Sequence, residues 1–333
     1  MKKTFLFGLV FIALSSCSNQ ADDLNVKNTQ MSEENQISSY MNTEGQKINN
    51  LSVRFPGYNE VHVKPSQADP SVYQWDHDHI VYYDGAIKNN KVLLWLTGTG
   101  GTTRNVPAEF FKTALNQGYR IVALSFITDP GVSQICIGPK LDVDVNCAAK
   151  FRRQRIYGDT SFPDIPDQYQ DAIIPRLIKL FKYLSINDPG GQWSQYLNQS
   201  TGRPAWSKIA VGGQSQGGGM AEFIAKNASV ARVISFSGGW DYSNSRTKQI
   251  AGWYSQQFVT PLSNIYAAYH VKEIASQQLA AKCKAMRIPS GNLFVGNQNV
   301  SSTNINYSNP YHVESLSNPV YKASWIKMLG SGR

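Results

Sequence analysis

The feature that most constrains the fold of this chain is a glycine-rich turn between an apolar run and a helix-like stretch. The segment IAVGGQSQGGG spans residues 209–219 and places Ser215 at the centre of a Gly-x-Ser-x-Gly motif. On a sharp turn from strand to helix, Gly213 and Gly217 remove the side chains that would collide with neighbouring backbone. The pattern therefore predicts that the Ser215 hydroxyl projects beyond the edge of a sheet, at the N-terminus of a helix.

Segments typical of strands and of helices alternate along the rest of the chain. The continuous apolar run 91–96 suits a strand buried on both faces, and residues 107–117 have the spacing of a helix. Strands that alternate with helices form a parallel sheet covered on both sides. We therefore predict an α/β fold with a mostly parallel central sheet and helices on both faces. Residues 128–162 contain several glycines and prolines, and we expect a long irregular loop there.

The N-terminus has the pattern of a signal peptide. Two lysines precede the apolar run 5–14, and small residues then lead to Cys17. The run is too short to cross a bilayer as a helix of the mature protein. Because LSSC at 14–17 also resembles the lipobox of bacterial lipoproteins, we predict a signal peptide over residues 1–16 and lipidation of Cys17.

The segment after the predicted signal peptide is expected to be a flexible tether, and the distribution of basic residues does not favour a nucleic-acid partner. Residues 17–50 are rich in Asn, Gln, Ser, Asp and Glu, which cannot bury enough apolar surface to fold, so the domain is expected at 51–333. The net charge is +9, but the one dense basic block is 150–155, so we expect no nucleic-acid partner. Ser18 after the cysteine predicts an exported lipoprotein at the outer membrane or facing the periplasm.

The remaining cysteines predict a disulfide and a buried free thiol, and one histidine-rich segment does not predict a metal site. Cys136 and Cys147 lie close together in the chain, and an exported protein meets oxidising conditions, so we predict a disulfide between them. Cys283 lies in a helix-like stretch and is expected to be a buried free thiol. The segment DHDH at 76–79 precedes a strand, where alternate residues point to opposite faces, so it does not predict a metal site.

A serine hydroxyl needs a base to take its proton, and the base needs an acid to orient it. Where a serine lies on such a turn, the chain order is serine, acid, histidine, and the histidine follows the last strand. His312 fits this place, on a loop after the strand expected at 292–295. Glu273 lies just past the strand before it and is our first candidate for the acid. Asp241, which follows an earlier strand, is the alternative.

The developing negative charge on a carbonyl oxygen needs two backbone N–H donors. By position, the N–H of Gln216 is one donor. The loop after the strand at 91–96 supplies the other, from Thr99 or Gly100, because its glycines let backbone approach a substrate closely. This chemistry requires no cofactor.

Taken together, these residues resemble the α/β-hydrolase superfamily, and are most similar to a bacterial branch of esterases called BPSS1187-like. The resemblance covers roughly residues 90–330. The matching segments are the Gly-Thr-Gly-Gly turn at 98–101, the pair Cys136 and Cys147, residues 153–158, the elbow 215–217, and the segment from His270 to Glu273. The departures are Thr97 and Gln214, where the superfamily often has His, and Glu273, where the branch usually has Asp.

Together with the N-terminal pattern, the resemblance predicts an exported, membrane-anchored serine hydrolase that acts on carboxylic esters. Its expected partners are a small-molecule or lipid ester and, through the lipid anchor, a membrane. The irregular loops at 128–162 and 241–262 are expected to cover the edge of the site. An acyltransferase would use the same residues with an acceptor other than water. A binding lipoprotein without catalytic activity is the alternative from another class.

Overall fold

A computed structural model describes residues 54–333 except 73, 160–161, 243–248 and 302–308. The predicted signal peptide, the lipidation site Cys17 and the tether over 17–50 lie outside the described residues. Within the described ranges, no helix is long and apolar enough to cross a membrane.

An eight-stranded sheet forms the centre of the described structure. Its strands are β1 (Asn59–Val63), β2 (His79–Tyr83), β3 (Val92–Leu96), β4 (Arg120–Ala123), β5 (Ile209–Gln214), β6 (Arg232–Phe236), β7 (Ile265–His270) and β8 (Leu293–Gly296). The order across the sheet is β1-β2-β4-β3-β5-β6-β7-β8. Strand β2 pairs antiparallel with both of its neighbours, and all other pairs are parallel. This topology is that of the α/β-hydrolase fold.

Helices cover both faces of the sheet, which confirms the predicted fold class. They are α1 (Pro65–Ala68), α2 (Ala108–Asn116), α3 (Val132–Ile135), α4 (Gly138–Val143), α5 (Cys147–Tyr157), α6 (Ile173–Asn187), α7 (Gln216–Asn227), α8 (Ser276–Ala285), α9 (Tyr311–Ser317) and α10 (Lys322–Leu329). In β3, Val92, Leu94 and Leu96 pack against the layer of α5, α6 and α7. Leu93 and Trp95 point to the opposite face and pack against α2, α9 and α10.

The prediction of an irregular loop over 128–162 is wrong, because α3, α4 and α5 lie within it. The apolar spacing of α5 is hidden in the sequence because two arginines occupy its buried face. Arg152 and Arg155 are almost completely buried beside Phe151, and each binds an aspartate. A pattern search that expects polar side chains outside cannot detect such a helix.

The predictions for Cys136, Cys147 and Cys283 are confirmed. Cys136 and Cys147 form a disulfide with their Cα atoms 5.6 Å apart, and it joins the end of α3 to the first residue of α5. Cys283 is a buried free thiol in α8, and burial raises its pKa to about 11. At neutral pH this thiol is protonated, so it packs as a small apolar side chain.

His79 predicts a pH dependence of the fold. It is fully buried, its Nδ1 accepts the N–H of Ser125, and burial, with the nearby Arg176 charge, holds its pKa well below the ordinary value. Below about pH 6.5 the unfolded chain therefore binds a proton that the folded chain excludes, so stability falls as the pH falls.

Replacement of His79 should remove that part of the pH dependence. In His79→Asn the side-chain oxygen can still accept the Ser125 N–H, but it does not titrate. Between about pH 6.5 and 5 the free energy of unfolding should lose about 1.4 kcal/mol less per pH unit than in the parent. Urea denaturation at each pH measures this. The exposed His77→Asn is the control; equal slopes for His79→Asn and the parent would contradict the prediction.

Candidate active site

Ser215 lies on a sharp turn between the end of β5 and the start of α7. Its backbone has φ +55° and ψ −122°, a conformation that is rare for a residue with a side chain. The Ser215 N–H donates to the Phe236 carbonyl at 2.9 Å, and the Ser215 carbonyl accepts the Gly239 N–H at 3.2 Å. Hydrogen bonds to the end of β6 and the segment after it therefore hold the turn in this conformation.

Glycine is required on both sides of this turn. A Cβ atom on Gly213 would lie 2.4 Å from the Gly217 carbonyl carbon, and one on Gly217 would lie 2.0 Å from the Leu96 carbonyl oxygen. Both distances are far below van der Waals contact, and both involve backbone atoms that cannot rotate away. The two glycines therefore allow the elbow to pack directly onto the end of β3.

The loop after β3 lies against the candidate nucleophile. A Cβ atom on Gly98 would be 3.3 Å from the Cβ of Ser215. Thr99 and Gly100 follow directly, Thr99 is buried, and its Oγ1 has no hydrogen-bond partner in the described part of the chain. Gly100 has φ +67°, which favours glycine at that position. The structure thus brings the Thr99–Gly100 backbone to the same place as the elbow.

Gln216 opens α7, so its N–H has no acceptor within the helix. Its buried side chain is held on both ends: Oε1 accepts the Val132 N–H at 3.0 Å, and Nε2 donates to the Thr128 carbonyl at 2.8 Å. Residues 128–132 therefore contact the elbow, as the sequence suggested for part of the 128–162 segment. These bonds fix the first turn of α7 against the neighbouring chain.

His312 lies in the first turn of α9, not on the loop that the sequence predicted. It is fully buried, and its Nδ1 lies 2.8 Å from Oε2 of Glu273. Because a carboxylate only accepts, the proton of a neutral His312 lies on Nδ1, which leaves Nε2 as a proton acceptor. Nε2 has no hydrogen-bond partner among the described residues. The Gln214 amide also donates to the His312 carbonyl at 3.5 Å, which ties α9 to the elbow.

Three donors hold the carboxylate of Glu273, which lies in the turn after β7. Oε2 accepts from His312, while Oε1 accepts the Ser237 hydroxyl at 2.9 Å and the His270 N–H at 3.1 Å. Ser237, which directly follows β6 and has φ +45°, is a site residue that the sequence reasoning missed. Its only trace in the sequence is its position directly after an apolar strand.

His270 does not compete with His312 as a base. Its Nε2 donates to the Gln298 carbonyl at 2.8 Å, and its Nδ1 accepts the Lys272 N–H at 3.1 Å. Both ring nitrogens are therefore used in the neutral form, and burial lowers the pKa of the ring. The contribution of His270 to the site is its backbone N–H, which binds Glu273.

Asp241, the alternative acid, faces a different partner. Its two oxygens accept from Nε and Nη2 of Arg152 at 2.7 and 2.5 Å, and its Oδ2 also accepts the Trp253 indole N–H at 2.8 Å. Of the two acids considered from the sequence, the structure places Glu273 on His312 and Asp241 on Arg152. The neighbour of Asp241, Trp240, packs its ring 4.9 Å from the His312 ring.

In the described ranges, no group of three or more His, Cys, Asp or Glu side chains could hold a metal ion. The DHDH segment illustrates this. Asp76 binds Ser66 in the loop before β2, whereas His79 is turned into the sheet toward Ser125.

No family model and no curated protein sequence matches the chain. Its structure is similar to that of a dienelactone hydrolase from Anabaena variabilis, at 15% identity and a TM-score of 0.43 over 81% of this chain and 98% of that one. A bacterial heroin esterase is similar at 14% identity and a TM-score of 0.44, over 94% of this chain and 93% of that one. The Francisella virulence factor BioJ is similar at 11% identity and a TM-score of 0.46, over 92% of this chain and 94% of that one. The fold assignment itself rests on the strand order.

The close approach at Gly217 predicts a strong effect of a single methyl group. Gly217→Ala should lower the free energy of unfolding by more than about 3 kcal/mol, because the backbone of β3 or of the elbow must move to admit it. The control is Gly291→Ala, where a Cβ meets no atom within 4 Å. Urea denaturation measures both variants, and a stable Gly217→Ala would show that the elbow does not pack as described.

Proposed function

We propose that this chain is a serine hydrolase that cleaves carboxylic esters, with Ser215 as nucleophile, His312 as general base and Glu273 as the acid of the triad. The observation that carries the proposal is the completely buried Glu273–His312 pair beside the elbow. It leaves the second imidazole nitrogen as an unpartnered acceptor, and a base needs such an acceptor to take a proton from a serine.

In the proposed reaction, the Ser215 oxygen attacks the ester carbonyl carbon while Nε2 of His312 takes the hydroxyl proton. The tetrahedral intermediate collapses, its C–O bond to the alcohol breaks, and His312 returns the proton to the leaving alcohol. Water then attacks the acyl-enzyme by the same steps and releases the acid, so Ser215 regains its proton. No cofactor takes part.

Glu273 has two tasks in this scheme: it selects the imidazole tautomer, and it stabilises the imidazolium that forms during attack. Both tasks require a carboxylate that does not rotate. The bonds from Ser237 and His270 occupy Oε1 and leave Oε2 for His312, so the orientation of Glu273 is set before a substrate binds. Such preorganisation costs no rearrangement at the moment of reaction.

The backbone N–H groups of Gln216 and of Thr99, or Gly100 in its place, are proposed to bind the oxyanion. Gln216 contributes an N–H at the start of α7, where the helix dipole also favours negative charge. The loop with Gly98 lies close enough to Ser215 to supply the second N–H.

We also propose that the chain is exported and anchored to a membrane through lipidated Cys17, with a small-molecule or lipid ester as substrate. The sequence of residues 1–17 supports export, and a disulfide between Cys136 and Cys147 suits an oxidising compartment. The bacterial esterase branch that the sequence resembles remains the proposed subgroup.

The role of Glu273 is tested by Glu273→Gln, with hydrolysis of p-nitrophenyl acetate as the assay. The amide cannot hold the imidazole in the required tautomer or stabilise its charge, so kcat should fall by about 10³–10⁴-fold with little change in KM. Glu109→Gln, at an exposed carboxylate in α2, is the matched control and should keep the parent rate.

Ser215→Ala tests the nucleophile in the same assay and should reduce hydrolysis to the background rate. A parent chain that is folded and does not hydrolyse the ester would contradict the proposed function. Full activity of Glu273→Gln would leave Ser215 and His312 in place and remove Glu273 from the triad.

A further inference from the structure

We propose that the buried ion pair Arg152–Asp241 positions the nucleophile elbow against the base, so that both side chains are positioning residues for the reaction. The inference rests on the proposed function, and it adds residues that touch neither the substrate nor the reacting atoms.

Arg152 and Asp241 form a bidentate ion pair that is not accessible to solvent. Arg152 donates from Nε and Nη2 to the two oxygens of Asp241 at 2.7 and 2.5 Å, and both side chains are 0% exposed. The Trp253 indole N–H adds a third donor to Asp241 at 2.8 Å. Because the two planar groups meet through two parallel hydrogen bonds, the position of one fixes the position and the angle of the other.

Arg152 contacts the elbow helix directly. Its Nη1 donates to the Gln216 carbonyl at 3.4 Å, and a Cβ atom on Gly219 would lie 2.5 Å from its Nη2. The guanidinium therefore occupies the space that a side chain at 219 would fill, against the first turn of α7. This turn carries Ser215 and the proposed oxyanion donor Gln216 at its start.

Asp241 belongs to a short segment that contacts both the nucleophile and the base. Two residues before it, the Gly239 N–H donates to the Ser215 carbonyl at 3.2 Å. Between them, Trp240 packs its ring on the His312 ring. The Arg152–Asp241 pair thus joins the helix that carries the nucleophile to the segment that supports the base.

The helix that carries Arg152 is itself held in place. Arg152 lies on α5, whose first residue Cys147 is bonded to Cys136. One turn after Arg152, Arg155 binds the carboxylate of Asp167 and donates to the Pro130 carbonyl at 2.9 Å. Since α5 is held at both points, the guanidinium of Arg152 cannot move away from the elbow without breaking other contacts.

Stability alone does not explain such a pair. Burial of two charges is costly, and well-packed apolar side chains of similar volume often give a protein that is equally stable. Burial opposes the charge of Arg152, but Asp241 more than offsets this and raises the pKa of the guanidinium, so the ion pair persists at neutral pH. What apolar side chains cannot supply is the directed hydrogen bonding that sets the orientation of the elbow.

The first test is Gly219→Ala, which leaves both charges in place and puts a methyl group where the guanidinium lies. Alanine favours a helix more than glycine does, but the methyl group must displace the buried guanidinium, so the melting temperature should fall, and kcat is measured at a temperature where the variant remains folded. For p-nitrophenyl acetate, kcat should fall by at least about 10-fold, because a displacement of about 1 Å at the reacting groups can cost about 100-fold, while KM stays near the parent value. Gly291→Ala, in open space, is the matched control.

The second test replaces the pair with apolar side chains, in the double variant Arg152→Met with Asp241→Leu. It should fold with a melting temperature near that of the parent and again lose kcat by at least about 10-fold without a matching rise in KM. If the double variant does not fold, Gly219→Ala decides the question by itself.

The outcomes separate this inference from the proposed function. An active parent together with unchanged kcat in Gly219→Ala, or in a folded double variant, would overturn the positioning role and leave the hydrolase intact. A folded parent without hydrolytic activity would overturn both. Loss of kcat with KM preserved, measured where each variant remains folded, is the result that we expect, since a purely structural pair would change the melting temperature without lowering the kcat of the folded chain.

Discussion

The candidate site depends on one steric constraint: the backbone of the elbow and the backbone at the end of β3 are in direct contact. Strands β3 and β5 pair in parallel with Leu96 opposite Gly213, so their carboxyl ends meet at the same edge of the sheet. A side chain at 213 or 217 would overlap the backbone there. This contact brings the Gly98–Gly100 loop to Ser215, and the rest of the site is arranged around that junction.

The parallel sheet also places the proposed acid and the proposed base. Strand β6 lies beside β5 and β7 lies beside β6, and all three end at the same edge. Ser237, directly after β6, and His270, at the end of β7, therefore lie within reach of one carboxylate, that of Glu273. Both donate to Oε1, so Oε2 is free to bind His312, which lies in α9 after the last strand. Residues far apart in sequence thus converge because each follows a strand that ends at the same edge.

The sequence is sufficient to predict the sheet, the elbow and the disulfide, because each follows from local patterns: continuous apolar runs, glycines around a serine, and two nearby cysteines. The acidic partner of the proposed base, His312, could not be chosen in this way. Asp241 and Glu273 both follow parallel strands that end at the same edge, and only their long-range contacts separate them: Asp241 binds Arg152, and Glu273 binds His312. Helix α5 could not be predicted for a related reason, because its buried face carries charged side chains whose partners lie elsewhere in the sequence.

The most direct test of the account is the reaction of the purified, folded chain with a fluorophosphonate, followed by intact-mass analysis and peptide mapping. An activated serine should take up one phosphonyl group on the peptide that contains Ser215, and neither Ser215→Ala nor heat-unfolded parent should react at that position. A folded parent that remains unmodified, or a modified Ser215→Ala with the same stoichiometry, would contradict the central claim that this elbow carries an activated nucleophile.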